Sequence, residues 1–544
     1  MTVTIPKTLR SAEFTDLTLV ELNDVDVDRQ LAHLWELIVK SGRLAAPPKD
    51  ADDYDHYRGA LAADSRLDGF DDEHGAKVLD GWLRSSIVRI GAKGRGHHET
   101  QMDYIQPLTI ASYRAGLPKT RRHRHVHTLT HHVLMAELKR RGADKPGLEL
   151  RGMLEAAIGA GVSIGTMGKW IPEYDRTTEI DINALLSLYF LEQFPAQAVR
   201  PATNYEFRSS AVPAATRDLA GDLLDYLACY GSELSASAFV DGFTALLSLR
   251  LFQLPLRIAR AARHVIITGE ESPDMLDHAD RNPLELYCDF TGVHGSASDQ
   301  LARQCVQRDL EVMSGFMRDR LLLLSLRNAM TALDKRGAEI RALPMVDGLV
   351  AMVALRADPF VTAHASIRLE EIEAVNSDED LEYVREVRRS DLPAVEKLAT
   401  LLSEGLHTTI LRQQVSWFWS TGGILKPYGM LRGTRNVRTS WRYAPTDDLL
   451  EALLLVSFTE QDGRGTLPYM PIADLLRHLR DHFGILVDQP PAAFNSVDTR
   501  AAAAANLEAF KRRLRLLGCF DSLSDDFSAQ YVRNPVATNQ VEAP

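Results

Sequence analysis

Residues 299–330, DQLARQCVQRDLEVMSGFMRDRLLLLSLRNAM, make the longest stretch of helical periodicity in the chain. Apolar side chains return every three or four positions with charged residues between them, and no proline interrupts the run. A helix of that length cannot bury its apolar stripe alone and needs other helices laid against it. TRDLAGDLLDYLACYG (216–231) and SASAFVDGFTALLSLRLFQL (235–254) carry the same spacing. The expected fold is therefore mainly α, a multidomain helical protein.

At 544 residues the chain exceeds one core, and length suggests roughly three or four domains. Apolar content of 45% and charged content of 25% belong to a globular protein and exclude a disordered or fibrous one. Changes of pattern divide it into an acidic helical region at 1–150 with a basic, histidine-rich segment, and a central helical domain at 151–345. A connecting α/β region at 346–425 and a winged-helix-like domain at 426–544 follow. Cys229, Cys288, Cys305 and Cys519 lie far apart with no CxxC pair, which argues against a disulfide framework and fits a reducing cytoplasm. The first residues lack the basic head and apolar core of a signal peptide. The most apolar run, FTALLSLRLFQLPLRIARAARHVII, is interrupted by Arg250, Pro255 and Arg257, so no membrane partner is expected.

The carboxyl-terminal region has the clearest order. TDDLLEALLLVSF opens on a Thr446–Asp447 cap signal, MPIADLLRHLRDHFGILV gives a second helix and NLEAFKRRLRLLG a third. CFDSLSDDFSAQYVRN then reads as a hairpin around LSDD. Three helices and a hairpin are the pattern of a winged-helix domain, although the connection at about 488–501 is longer than such domains usually carry.

The net charge of −12 opposes contact with polyanions, so a phosphate-binding surface has to be local. Two long stretches contain no Asp or Glu. The first, 104–136, holds Lys119, Arg121, Arg122 and Arg124 within KTRRHRHVHTLTHH. The second, 405–446, holds Arg412, Lys426, Arg432, Arg435, Arg438 and Arg442 among aromatic residues that include Trp441 and Tyr443. Arginines give bidentate phosphate contacts and aromatic faces stack bases, so this mixture predicts a nucleic-acid groove. Lys511, Arg512, Arg513 and Arg515 occupy the third helix, where a recognition helix would lie. The competing reading makes the aromatics core and pairs the arginines with acids such as Asp447 and Asp448. Arg257, Arg260 and Arg263 recur at helical spacing and either line a groove or snorkel from an apolar helix.

His123, His127 and His131 could present imidazoles to zinc, with His97, His98 and Glu99 to complete a site. Four interspersed cations and the absence of HExxH argue against it, so no metal or other cofactor is expected. GAGVSIGTMGKW (159–170) has Ser163 where a phosphate loop needs its first glycine and Trp170 in place of the Ser or Thr. Cys288 and His294 suggest a nucleophile pair, but an apolar, strand-like setting favours an inert buried thiol.

Two stretches, LYCDFTGVHGSASDQLARQCVQRDLE and the region from RGTRNVRTSWRYAPTDDLLEALL to QYVRNP, resemble proteins of bacterial defence islands. The likeness is to an accessory component of methylation-associated anti-phage defence systems and covers about a third of the chain. It implies a cytoplasmic multi-protein system acting on foreign DNA, and it assigns no catalytic residue. The expected function is a non-enzymatic defence component that binds double-stranded DNA, partner proteins of the same system, or both. The alternatives are an interaction scaffold without nucleic-acid binding, and a metal-dependent nuclease or hydrolase using the histidine-rich segment.

Overall fold

The computed structural model describes residues 3–44, 49–91, 101–117, 124–165, 171–195, 209–276, 281–460, 465–520 and 530–536. Helices dominate, and the strands among the described residues are short and paired in twos. The elements that position the site are α1 (Val126–Arg140), α2 (Pro213–Tyr230), α3 (Ala236–Thr268), α4 (Ala297–Ala329), α5 (Pro359–Val375) and α6 (Ala394–Thr421).

Helix α3 is the axis of the core and packs against α2, α4 and α6. It is long and apolar enough to cross a membrane by length and composition, and 94% of its most apolar window is buried inside the protein. Pro255 lies within it, and a proline leaves the carbonyl four residues earlier without its helical partner. Trp417 of α6 supplies the missing donor, with its indole nitrogen 3.1 Å from the Leu251 carbonyl oxygen. The charges that broke the apolar run in sequence are neutralised inside the fold. Arg250 meets Asp222 of α2 at 2.6 Å, and Arg257 sits between Asp218 and Asp274 at 2.5 Å from each. Arg260 and Arg263 reach Asp309 and Asp319 of α4. The regular arginine spacing therefore records contacts between helices, and no arginine-lined groove forms on α3.

The sequence offers Ser296 or Ser298 as the cap of α4, and it is Ser296 that accepts from the Asp299 amide. The region 346–425, expected as α/β, is helical among its described residues: Met345–Ala354, α5, Asp378–Arg389 and α6 follow one another. Its irregular hydrophobic pattern comes from four helices of unequal length separated by abrupt stops. Asp358 caps α5 by accepting from the Phe360 amide, Pro359 occupies the first turn, and Asn376 ends it.

The carboxyl-terminal order is α7 (Asp447–Ser457), a strand at Tyr469–Pro471, α8 (Ile472–Asp481), α9 (Val497–Leu516) and a strand at Tyr531–Arg533. The two strands pair antiparallel, and Phe520 bridges Val532 alongside them. Thr446 caps α7, and Ser496 with Thr499 forms a capping box on α9. The LSDD tip lies outside the described residues. The long link between α8 and α9 has a structural cause. Ile485–Leu486 leaves the unit to pair in parallel with Leu286–Tyr287, just before α4, and so stitches this module to the central helices.

Candidate nucleic-acid interface

Helix α6 stops at Thr421 because Gly422 and Gly423 follow. Gly423 has φ +69°, and a Cβ there would lie 2.6 Å from the Gly429 Cα, so the returning chain can approach only a glycine. The turn leads into β1 (Leu431–Arg432), which pairs antiparallel with β2 (Arg442–Tyr443). Side chains alternate across a hairpin, so the facing Leu431 and Tyr443 are buried while Arg432 and Arg442 occupy the opposite face. Tyr443 donates its hydroxyl to Asp309 at 2.9 Å.

The loop between these strands is held by its backbone. The indole of Trp441, fully buried and parallel to Phe418, donates to the Thr434 carbonyl at 2.9 Å. Thr434 donates its amide to the Ser440 hydroxyl. From α4, Arg303 donates to the Thr439 carbonyl at 3.0 Å and Gln307 to the Arg438 carbonyl at 3.2 Å. Trp441 and Tyr443, predicted as base-stacking groups, are thus core residues that set the shape of the loop. Trp417, Phe418 and Tyr428 are buried as well.

With the backbone pinned, the guanidiniums project outward. Arg432, Arg435 and Arg438 are exposed, as is Arg412 two turns before Trp419 on α6. Arg435 lies over the half-buried Trp419 ring, 3.7 Å from its centroid, a cation–π contact that stiffens the side chain without neutralising it. Among the described residues none of these four arginines is held in an ion pair. Carboxylates border the patch at one edge. Burial and Asp447 push the Asp448 carboxyl up, and Arg432 draws it back down.

The other predicted contacts are engaged elsewhere. Lys426 pairs with Asp28 at 2.7 Å, and Arg442 approaches Asp299 at 3.0 Å. On α9, Arg513 meets Asp447 at 2.5 Å and Lys511 meets Glu508 at 2.8 Å. Arg515 lies over Phe520, while Arg512 is exposed. In the histidine-rich segment, Arg124 pairs with Glu21 and Asp24; Lys119, Arg121, Arg122 and His123 lie outside the described residues, as do His97, His98 and Glu99. Sequence reasoning reads Arg303 as an ion-pairing residue, and it does meet Asp299 at 3.0 Å, but it missed the loop contacts of Arg303 and Gln307, whose spacing of four puts both on one side of α4.

His127 and His131 face the interior of α1, where His127 contacts Gln30 and stands 5.4 Å from the His33 ring. Among the described residues no three His, Cys, Asp or Glu side chains gather as a metal site would require. Burial, with His132 beside it, pushes the His131 pKa down to about 4. A histidine depressed in the fold stabilises fully above its unfolded value near 6.5, and that stability is lost as pH falls toward the folded value. Denaturation at pH 5 against pH 7 should therefore show a loss on the order of 2 kcal/mol from this residue, absent in His131→Leu. Cys288 is fully buried, with its thiol pushed well up by burial, and donates to the Leu286 carbonyl, whereas His294 is exposed on the loop before α4.

Fold and surface together define a large helical protein that presents a pinned, arginine-bearing hairpin next to its carboxyl-terminal module. Residues 7–536 match the family model for Methylation-associated defense system protein MAD7, and the chain belongs to that family. The match extends the resemblance carried by two stretches to nearly the whole chain. No curated protein matches it.

Proposed function

We propose that the chain is a non-catalytic, cytoplasmic component of its defence system that contacts double-stranded DNA through Arg412, Arg432, Arg435 and Arg438. The observation that carries this reading is the hairpin loop, whose backbone is fixed by Trp441, Arg303 and Gln307 while its arginines stand exposed. A loop whose backbone is already fixed loses little main-chain freedom when its arginines meet phosphate. Among the aromatics of 405–446 only Trp419 has an exposed edge, and Arg435 covers its ring, which favours backbone contact over base stacking. The segment 405–446 contains no carboxylate, so the patch stays cationic in an acidic protein.

Within the same proposal, α7 to the last strand form a winged-helix-like unit, and α9 docks a partner protein of the defence system. The exposed side of α9 mixes apolar Val497, Ala501, Ala504, Ala505 and Leu516 with Asp498, Glu508, Arg500, Arg512 and Arg515, an apolar and mixed-charge surface suited to a protein partner.

Fluorescence anisotropy with a labelled duplex tests the DNA reading. Four phosphate contacts predict an affinity loss of roughly a hundredfold between about 50 and 200 mM salt. Binding that is absent at low salt, or indifferent to salt, would overturn it in favour of a scaffold without nucleic-acid contact.

A further inference from the structure

The hairpin formed by β1 and β2 narrows to a tip that its own backbone fixes. At the neck Gly433 has φ +143°, and a Cβ there would lie 2.8 Å from the Ser440 carbonyl oxygen, so the loop closes only over a glycine. Val437 stands at the apex. Its amide donates to the Thr434 carbonyl at 2.9 Å, and its carbonyl accepts from the Ser440 amide at 2.9 Å and the Ser440 hydroxyl at 2.6 Å. Both backbone groups are thus spent inside the loop. The isopropyl group is left 47% exposed, whereas Leu431, Trp441 and Tyr443 of the same hairpin are fully buried.

The leading edge is narrow. Arg435 lies back over Trp419, and Arg303 and Gln307 hold the Thr439 and Arg438 carbonyls against α4. The side chains of Asn436, Val437 and Arg438 remain as consecutive exposed groups at the front. Behind them the paired strands are two residues long, and β2 packs on α4. A ribbon that short and that closely covered cannot lie along a major groove as a free two-stranded ribbon does.

The minor groove presents a matching surface. Phosphates stand at its rims, its walls are apolar sugar, and an A·T floor offers acceptors alone, adenine N3 and thymine O2. The Arg438 guanidinium and the Asn436 amide supply donors to such a floor, the Val437 isopropyl group suits the sugar, and Arg432 and Arg435 flank as cations. Guanine adds a 2-amino donor to the floor, which opposes Arg438. A·T tracts also narrow the groove and strengthen its negative potential. Resting on the DNA reading above, we propose that residues 436–438 enter the minor groove of A·T-rich duplex, with Val437 packed between its sugar walls.

The test is fluorescence anisotropy of the full chain with A·T-rich, G·C-rich and I·C duplexes, inosine replacing guanine in the last. Inosine keeps the major-groove face of guanine and lacks its 2-amino group, so it isolates the minor groove. The A·T and I·C duplexes should bind about tenfold tighter than the G·C duplex. Val437→Ser should lose about fivefold on the first two and little on the third, a selectivity that a folding defect cannot imitate. Equal binding of I·C and G·C, as guanine recognition from the major groove or phosphate contact alone would give, overturns the groove assignment and leaves the DNA reading standing. So does a Val437→Ser variant that matches the wild type on every duplex. Binding to none of the duplexes removes the DNA reading itself, and this proposal with it.

Discussion

Asp222→Ala is expected to cost about 3–5 kcal/mol, among the largest losses available to a single substitution in this chain. Asp222 and Arg250 are each 2% exposed and joined at 2.6 Å, and the His482 ring meets the other carboxylate oxygen, also at 2.6 Å. Burial alone would raise the Asp222 carboxyl, yet Arg250 and His482 outweigh it and hold the group well below the usual carboxylate range. Arg250 also donates to Gln253 and to the His482 carbonyl, while Gln253 reaches the Phe483 carbonyl at 2.6 Å. These contacts join α2 and α3 to the end of α8, so the network ties the carboxyl-terminal module to the helical core. Removing the carboxylate strands a guanidinium in a low-dielectric interior, and that penalty dominates. The double variant Asp222→Leu with Arg250→Met should recover much of the loss, because neither charge is then left alone. Urea denaturation of the three variants decides it. A loss under about 1 kcal/mol for Asp222→Ala would mean that water reaches the pair.

Reversing Arg432, Arg435 and Arg438 to glutamate should lower duplex affinity at least about a hundredfold and reduce the slope of log affinity against log salt by about three. Stability should fall by no more than about 1 kcal/mol, the scale of the Arg435–Trp419 contact, because the other two guanidiniums hold no folded-state partner. Lys335→Glu with Arg336→Glu serves as a net-charge control, two reversals against three, since both side chains are exposed on another helix. Equal loss in the control would reduce the effect to net charge. No loss in the triple variant would remove the hairpin from the DNA reading. Arg442→Glu is a poor substitute: it sets a carboxylate against Asp299, and its defect would be one of folding.

The helical class was legible because amphipathic spacing is a local property. The caps at Ser296 and Thr446 were legible for the same reason, since each needs only a side chain and an amide three residues on. The three carboxyl-terminal helices were legible likewise, whereas the strand Tyr469–Pro471 between the first two was not, because its partner lies about sixty residues away. The region 346–425 was misread because the stops between its four helices interrupt the period on which such a reading depends. The aromatic residues of the arginine-rich segment were ambiguous in sequence because a tryptophan serves a core and a stacking surface equally well. Burial separates Trp441 from Trp419, and burial depends on α4, which is distant in the chain.

What the sequence by itself determined is where helices begin, which of their faces are apolar, and that cations gather between 405 and 446. Which of those cations are spent was decided only by tertiary structure. Lys426 finds Asp28 and Arg442 finds Asp299 across separations that no local pattern encodes. Arg432, Arg435 and Arg438 stay uncommitted because the loop bearing them is fixed through its carbonyls, which leaves the side chains free to face solvent. Charge composition is additive along a chain, whereas the availability of a charge depends on what the fold brings within about 4 Å of it.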